Sequence, residues 1–195
     1  MAISLPAVLT TLAPYHLLSY ATLLGSSLFQ TFVNTKICYT ELPRSAFTTL
    51  QKRLFPVYFR CQAILLVLAA ATLPPHGPAS LLRDRRDWIP FAAIGLATMA
   101  NLFTYGPRTR QAMIDRAHQG ERIPAVPSKS PPSPPPLLPG FDRPDGGEEP
   151  SPDMRAVKRR FSMNHAMSIH LNLIGLIGMV WYGVRLASRL NFEMD

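Results

Sequence analysis

His165, Ser168, Asn172, Gly175 and Met179 recur at alternating steps of three and four residues, the spacing that aligns side chains along one helical face. Such a line of small and polar groups suits close helix packing with hydrogen bonds across the contact. A second line runs through His16, Tyr20, Ser27 and Gln30, and Gln62 and Asn101 add further donors. Two chemistries are open to these groups. They can fasten helices together, or they can line a polar pathway or small-ligand cavity. Met163, Met167 and His170, spaced four and three apart, share another face of the same segment. Thioether and imidazole are soft ligands suited to Cu(I), although methionine also serves as an adaptable packing residue.

The elements that must carry these residues are apolar. Segments 12–33, 54–73 (Arg60 apart), 88–106 and 161–184 hold no permanent charge. Each approaches the ~20 residues that cross a bilayer core as a helix. The expectation is an all-α integral membrane bundle of four transmembrane helices. Soluble buried helices would instead show a polar stripe at every turn. Polar groups inside such spans are costly and are functional candidates by default. Mean hydropathy is only +0.08 because a long polar stretch between the third and fourth spans dilutes the apolar ones.

Four spans put both termini on one side. Loops one and three carry fourteen of the twenty cations, whereas the other side holds five: Arg83, Arg85, Arg86, Arg185 and Arg189. The positive-inside rule then makes loops one and three cytosolic and the termini lumenal or extracellular, in an endomembrane or plasma membrane. On that topology His16 lies about 25 Å from the cytosolic end of its helix, whereas His165 lies near that end. The two histidines belong to opposite leaflets and share no cofactor; none is expected.

Three regions follow: the first three helices with their loops (1–123), a proline-rich disordered linker (124–152), and a basic collar with the fourth helix and a short tail (153–195). The linker cannot build a core. Lys129, Pro132 and Pro135 fit a basic polyproline docking pattern, which would give a cytosolic partner, and Ser130, Ser133 and Ser151 each precede proline. Arg155 to Arg160 would attract anionic headgroups of the lipid bilayer by roughly 1 kcal/mol per cation.

Before the second span, Ala46, Phe47, Leu50 and Leu54 follow helical spacing with Gln51, Lys52 and Arg53 between them. This reads as an amphipathic interfacial helix, with Pro43 in its first turn, Pro56 at a bend, and Arg60 snorkelling to the cytosolic headgroups. The net charge of +8 comes with no nucleic-acid motif, so nucleic acid is not an expected partner. Cys38 and Cys61 form no disulfide framework. The N-terminus lacks the positive region of a signal peptide, so the first helix is expected to be retained. No acid inside a span pairs with a histidine, and there is no nucleophile motif or phosphate-cradling glycine loop. No enzyme activity is expected.

Thr31-Phe32-Val33, Leu42-Pro43-Arg44, Phe47, Gln51, Leu54-Phe55-Pro56 and Tyr58-Phe59, followed by Asn101, Pro107-Arg108-Thr109 and Met113, and then by Phe161, His165, Ser168 and Asn172, resemble the pattern of the transmembrane protein 205-like family. His16 fits that family's early histidine. The resemblance covers nearly all of the chain except the linker. It implies a four-span membrane protein without established enzymatic activity, with roles in export, drug or metal tolerance, or vesicular secretion. It also implies a looser likeness to bacterial copper-resistance membrane domains.

The leading expectation is a membrane protein assisting transport or secretion of a small solute or metal. Its candidate surface is cytosolic, where Pro43, Arg44, Pro56, Arg60, Pro107, Arg108 and His165 gather. The alternative is an anchored adaptor whose linker binds a soluble partner. Four short spans leave little room for a pore, so a homo-oligomer would ease transport.

Overall fold

The computed structural model describes residues 10–122 and 152–189, the side chains of 116–122 excepted. The linker, with Lys129, Pro132, Pro135, Ser130, Ser133 and Ser151, lies outside the described residues apart from Pro152. Among the described residues all regular structure is helical. Helix α1 runs through Ala13–Leu28, a π-helical segment Phe29–Asn34, and Thr35–Glu41. Helix α2 is Arg44–Ala71, and α3 is the short Pro78–Arg83. Helix α4 joins Arg85–Ala100, a second π segment Asn101–Tyr105, and Gly106–Arg122; α5 is Pro152–Ala187.

Local chemistry sets the boundaries. Pro14 occupies the first turn of α1, where its missing N–H costs nothing. The turn from α1 to α2 is only Leu42 and Pro43, and both have extended ψ. The Thr72 hydroxyl bonds back to the Leu68 carbonyl at 2.6 Å as α2 ends, and Pro74 and Pro75 follow directly. Gly77 adopts φ 63°, and a Cβ there would lie 2.7 Å from the Ala71 carbonyl oxygen. Asp84 caps α4 by accepting from the Arg86 N–H at 2.9 Å, with Asp87 in the first turn. Both carboxylates favour a helix N-terminus.

Among the described residues three helices are long and apolar enough to cross a membrane: Arg44–Ala71, Arg85–Asp115 and Pro152–Ala187. Their outward faces carry large apolar side chains such as Val67, Leu96, Phe103 and Val184, each at least 66% exposed. A water-soluble bundle would not leave so many on its surface. The α-helical part of α1 is interrupted at Phe29, yet the rod continues to Glu41 alongside α2. Helix α5, at 36 residues, is about 54 Å long and overruns a ~30 Å hydrocarbon core. Its first turns pack on the end of α4 beyond the apolar stretch, where Met154, Val157 and Ala112 are buried.

The segment expected to lie apart as an interfacial helix is instead the first part of the unbroken α2, and Pro56 sits inside that helix. The expected amphipathic face is also turned round. Gln51 is 1% exposed, whereas Leu50 is 37% exposed. Pro43 stands one place earlier than expected, at the N-cap.

The end of the bundle that holds Tyr182 is closely packed. Tyr182 meets Phe91 edge-on at 4.8 Å and Tyr20 at 5.2 Å, beside Ala69 and Leu73. Gly178 lets α4 come close: a Cβ there would lie 3.0 Å from Ile94 Cγ1 and 3.4 Å from the Pro90 carbonyl. Just beyond, Asp87 is almost fully buried and takes both Arg185 (3.0 Å) and Arg189 (2.7 Å), and Arg185 also reaches Asp84 at 3.0 Å. This clasp ties the start of α4 to the end of α5.

Candidate functional site

The two lines of polar residues read from the sequence run along the bundle in opposite senses: His16 and Tyr20 lie at the end that holds Met179, and Gln30 lies at the end that holds His165, Ser168 and Asn172. His16 is 1% exposed. Its Nδ1 lies 2.8 Å from the Ala69 carbonyl and its Nε2 2.6 Å from the Tyr182 hydroxyl. A carbonyl only accepts, so Nδ1 carries the proton and donates to Ala69, and the Tyr182 O–H donates to Nε2. Tyr20 donates to the Met179 carbonyl at 2.7 Å. Every polar atom of the His16 ring is used. This group bonds α1, α2 and α5 together.

The other end is open. Between α1, α2, α4 and α5 lies a cavity of about 860 Å³, within the range that holds drug-sized organic molecules. Helix α1 supplies Gln30, Thr31 and Thr35; α2 supplies Gln51, Tyr58 and Arg60; α4 supplies Asn101 and Thr109; α5 supplies His165, Ser168 and Asn172. Phe55, Phe59, Leu102, Ile169 and Leu173 form apolar walls. No Asp or Glu lines it among the described residues.

Both π segments abut this cavity. In the first, the Thr35 N–H and hydroxyl both go to the Gln30 carbonyl, the hydroxyl at 2.8 Å. In the second, the Gly106 N–H goes to the Asn101 carbonyl. Each bond spans five residues instead of four, adding a residue to the turn, as often happens at functional sites. The second has a visible cause. Pro107 has no N–H to donate, and at Gly106 a Cβ would collide with the Asn101 carbonyl oxygen. Only glycine lets the widened turn close on Asn101.

Several groups in and beside the cavity are engaged in hydrogen bonds. Gln62, just outside the cavity, donates to the Tyr58 hydroxyl at 3.4 Å; Tyr58 donates to Asn172 Oδ1 at 3.1 Å; Asn172 donates to Thr31 Oγ1 at 3.0 Å. This relay joins α2, α5 and α1. Gln30 is satisfied within its own helix by Asn34 and Thr35. Asn101 Nδ2 donates to the Ser168 carbonyl at 3.2 Å.

Others are not engaged. Gln51 Oε1, Gln51 Nε2, Asn101 Oδ1 and Thr109 Oγ1 are buried without a hydrogen-bond partner, and all three residues line the cavity. Each such group costs about 1–3 kcal/mol when left unmade. His165 stacks on Phe161, ring centroids 5.3 Å apart, beside these groups. Lys52, Arg60 and Arg110 complete the lining, Arg60 and Arg110 on its exposed rim.

Of the residues singled out in the sequence, Gln30, Pro56, Arg60, Asn101, Pro107, His165, Ser168 and Asn172 all line this cavity. His16 and Gln62 do not, and Pro43, Arg44 and Arg108 stand exposed away from it. Met163, Met167 and His170 lie exposed on the outer face of α5, where His170 Nδ1 is bonded to the Ala166 carbonyl at 2.6 Å. No group of three or more His, Cys, Asp or Glu side chains converges as a metal site among the described residues. Sequence reasoning missed Gln51 and Thr109 as site residues. The available signal was that both fall within the family-like motifs although neither is apolar.

The apolar helices define a multi-pass membrane protein of all-α build. The chain belongs to the family described as Domain of unknown function (DUF4149), whose model matches residues 18–118. That match spans three of the four cavity walls, including Gln30, Gln51, Asn101 and Thr109. The chain is also similar to Xanthocillin biosynthesis cluster protein D of Aspergillus fumigatus, 40% identical over 181 residues, covering 93% of this chain and 92% of the relative. No solved structure matches the chain.

Proposed function

We propose that this protein is a four-span membrane bundle that binds a small organic solute in its interhelical cavity and assists that solute's export or secretion. The observation that carries the reading is the pairing of about 860 Å³ of space with the unpaired Gln51 and Asn101 carboxamides on its wall. A helix contact kept only for stability would satisfy these groups or replace them with apolar ones. The fourth span is α1, continued by its π segment. In this reading the cavity lies in the cytosolic half and the His16 end and the Asp87 clasp in the other leaflet, which the excess of cations in loops one and three supports. The relative is named for a biosynthesis cluster, and a membrane protein grouped with small-molecule synthesis suits handling of such a molecule. The motif resemblance to the transmembrane protein 205-like family points to export as well. The size of the cavity favours an organic solute over a bare metal ion.

Reconstitution tests this. Sealed phosphatidylcholine vesicles carrying the wild-type protein should release trapped carboxyfluorescein faster than empty vesicles while retaining a trapped dextran. Gln51→Leu should slow release. Equal release from wild type, variant and empty vesicles would contradict the reading.

A further inference from the structure

The polar groups of the cavity are not neutral in sum. Three cations, Lys52, Arg60 and Arg110, line it, and none of them has an ion-pair partner among the described residues. Among the described residues no carboxylate lines the cavity from any of the four helices. Asp115, the nearest acid in sequence on α4, is taken by Gln111 at 2.9 Å. Cations at a membrane surface are ordinarily just solvated, so the charge alone would say little. Here it borders a buried space whose inner wall holds unpaired amide and hydroxyl groups.

The free groups define what would fit. Gln51 Nε2 offers N–H donors, Gln51 Oε1 and Asn101 Oδ1 offer acceptors, and Thr109 Oγ1 can do either. Phe55 and Phe59, stacked at 6.0 Å, and Ile169 add apolar surface to the same lining. A wholly apolar molecule would leave the amides unmade. A small inorganic anion would leave the aromatic wall uncovered.

We infer that the cavity takes an anionic amphiphile: a molecule with one acidic group set at Arg60 and Arg110, an apolar or aromatic body against Phe55 and Phe59, and a polar end that meets Gln51 and Asn101. This rests on the solute-binding reading above and narrows it to a charge class. Two sources share the chemistry, an acidic membrane lipid and a soluble organic acid.

The test uses the full-length protein in phosphatidylcholine nanodiscs with two probes of matching ring system, anilinonaphthalene sulfonate and uncharged N-phenylnaphthylamine. Native mass spectrometry counts the probe molecules retained per chain, which separates binding from partition into lipid. The wild type should retain one sulfonate probe, with affinity at least about tenfold above that for the neutral probe, as a charge-assisted hydrogen bond supplies. The combined variant Arg60→Gln, Arg110→Gln should lose that preference and keep the neutral affinity. Both positions are exposed, so folding is not at stake, and an unchanged melting temperature verifies it. Displacement of the sulfonate by added phosphatidylglycerol assigns the site to a lipid acid, and lack of displacement assigns it to a soluble one; either fits the inference. Equal affinity for the two probes, or a preference that survives the arginine substitutions, overturns the inference and leaves solute binding standing. Retention of neither probe overturns solute binding itself.

Discussion

The Asn101 side chain donates to the Ser168 carbonyl at 3.2 Å while its own carbonyl oxygen stays buried without a partner. One end of the amide thus ties α4 to α5, and the other faces unfilled space beside a π segment whose geometry depends on Gly106. The same residue is structural through its nitrogen and available through its oxygen. Gln51 is available through both ends.

The unpaired amides make a counter-intuitive stability prediction. Gln51→Leu removes two buried unmade groups and adds apolar surface, so it should leave stability unchanged or raise it by about 1 kcal/mol. Asn172→Leu, which breaks the relay from Tyr58 to Thr31, should lower it by about 1–2 kcal/mol, the upper range for hydrogen bonds between membrane helices. Thermal unfolding of the two variants in one detergent measures the contrast.

At the far end both ring nitrogens of His16 are hydrogen-bonded to neighbouring helices. His16→Ala removes both of its buried hydrogen bonds and should cost about 1–3 kcal/mol. Tyr182→Phe should cost less, and a double-mutant cycle should show coupling between the two positions. Probe retention in the cavity, many turns away, should stay at the wild-type level in Tyr182→Phe.

Gly106 is set against the Asn101 carbonyl. Gly106→Ala forces that turn apart and should cost about 1–3 kcal/mol, as strain at a specially built backbone site does. It should also weaken probe retention, because it moves Asn101. Pro107→Ala restores a donor and should be far milder in melting temperature.

The Asp84–Asp87–Arg185–Arg189 clasp carries a pH dependence. The Arg86 N–H, and then Arg185 and Arg189, hold the Asp84 carboxyl below the usual carboxylate range. A carboxyl depressed in the folded state lends stability that is present above its unfolded value of about 3.9 and fades as pH falls through its lower folded value. The melting temperature should therefore be flat near neutrality and fall below about pH 4. Asp84→Asn should shallow that fall. Asp87→Asn should cost about 2–3 kcal/mol at neutral pH, less than a wholly buried pair, since Arg189 remains 44% exposed.

The sequence displayed some of this and concealed the rest, for physical reasons. The apolar stretches announced helices because a bilayer imposes length and composition. The stripe through His165, Ser168 and Asn172 announced one wall of the cavity because helical periodicity is local. Gln51 was misread because a glutamine flanked by Lys52 and Arg53 looks like part of a wet face, and only the position of α4 and α5 buries it. The π segments leave no periodic trace; they follow from contacts such as Gly106 on Asn101. Asp84 and Asp87 alternate along the chain with Arg83, Arg85 and Arg86, yet they bind arginines about a hundred residues away, which no local pattern encodes.

The cavity is the centre of the proposed function, and the most direct test is the affinity of N-phenylnaphthylamine, whose one N–H can donate to Gln51 Oε1, for the variant Gln51→Leu in phosphatidylcholine nanodiscs. The solute-binding reading predicts that affinity falls about two- to tenfold in a protein that still melts at or above the wild-type temperature. Wild-type affinity in that variant would contradict it.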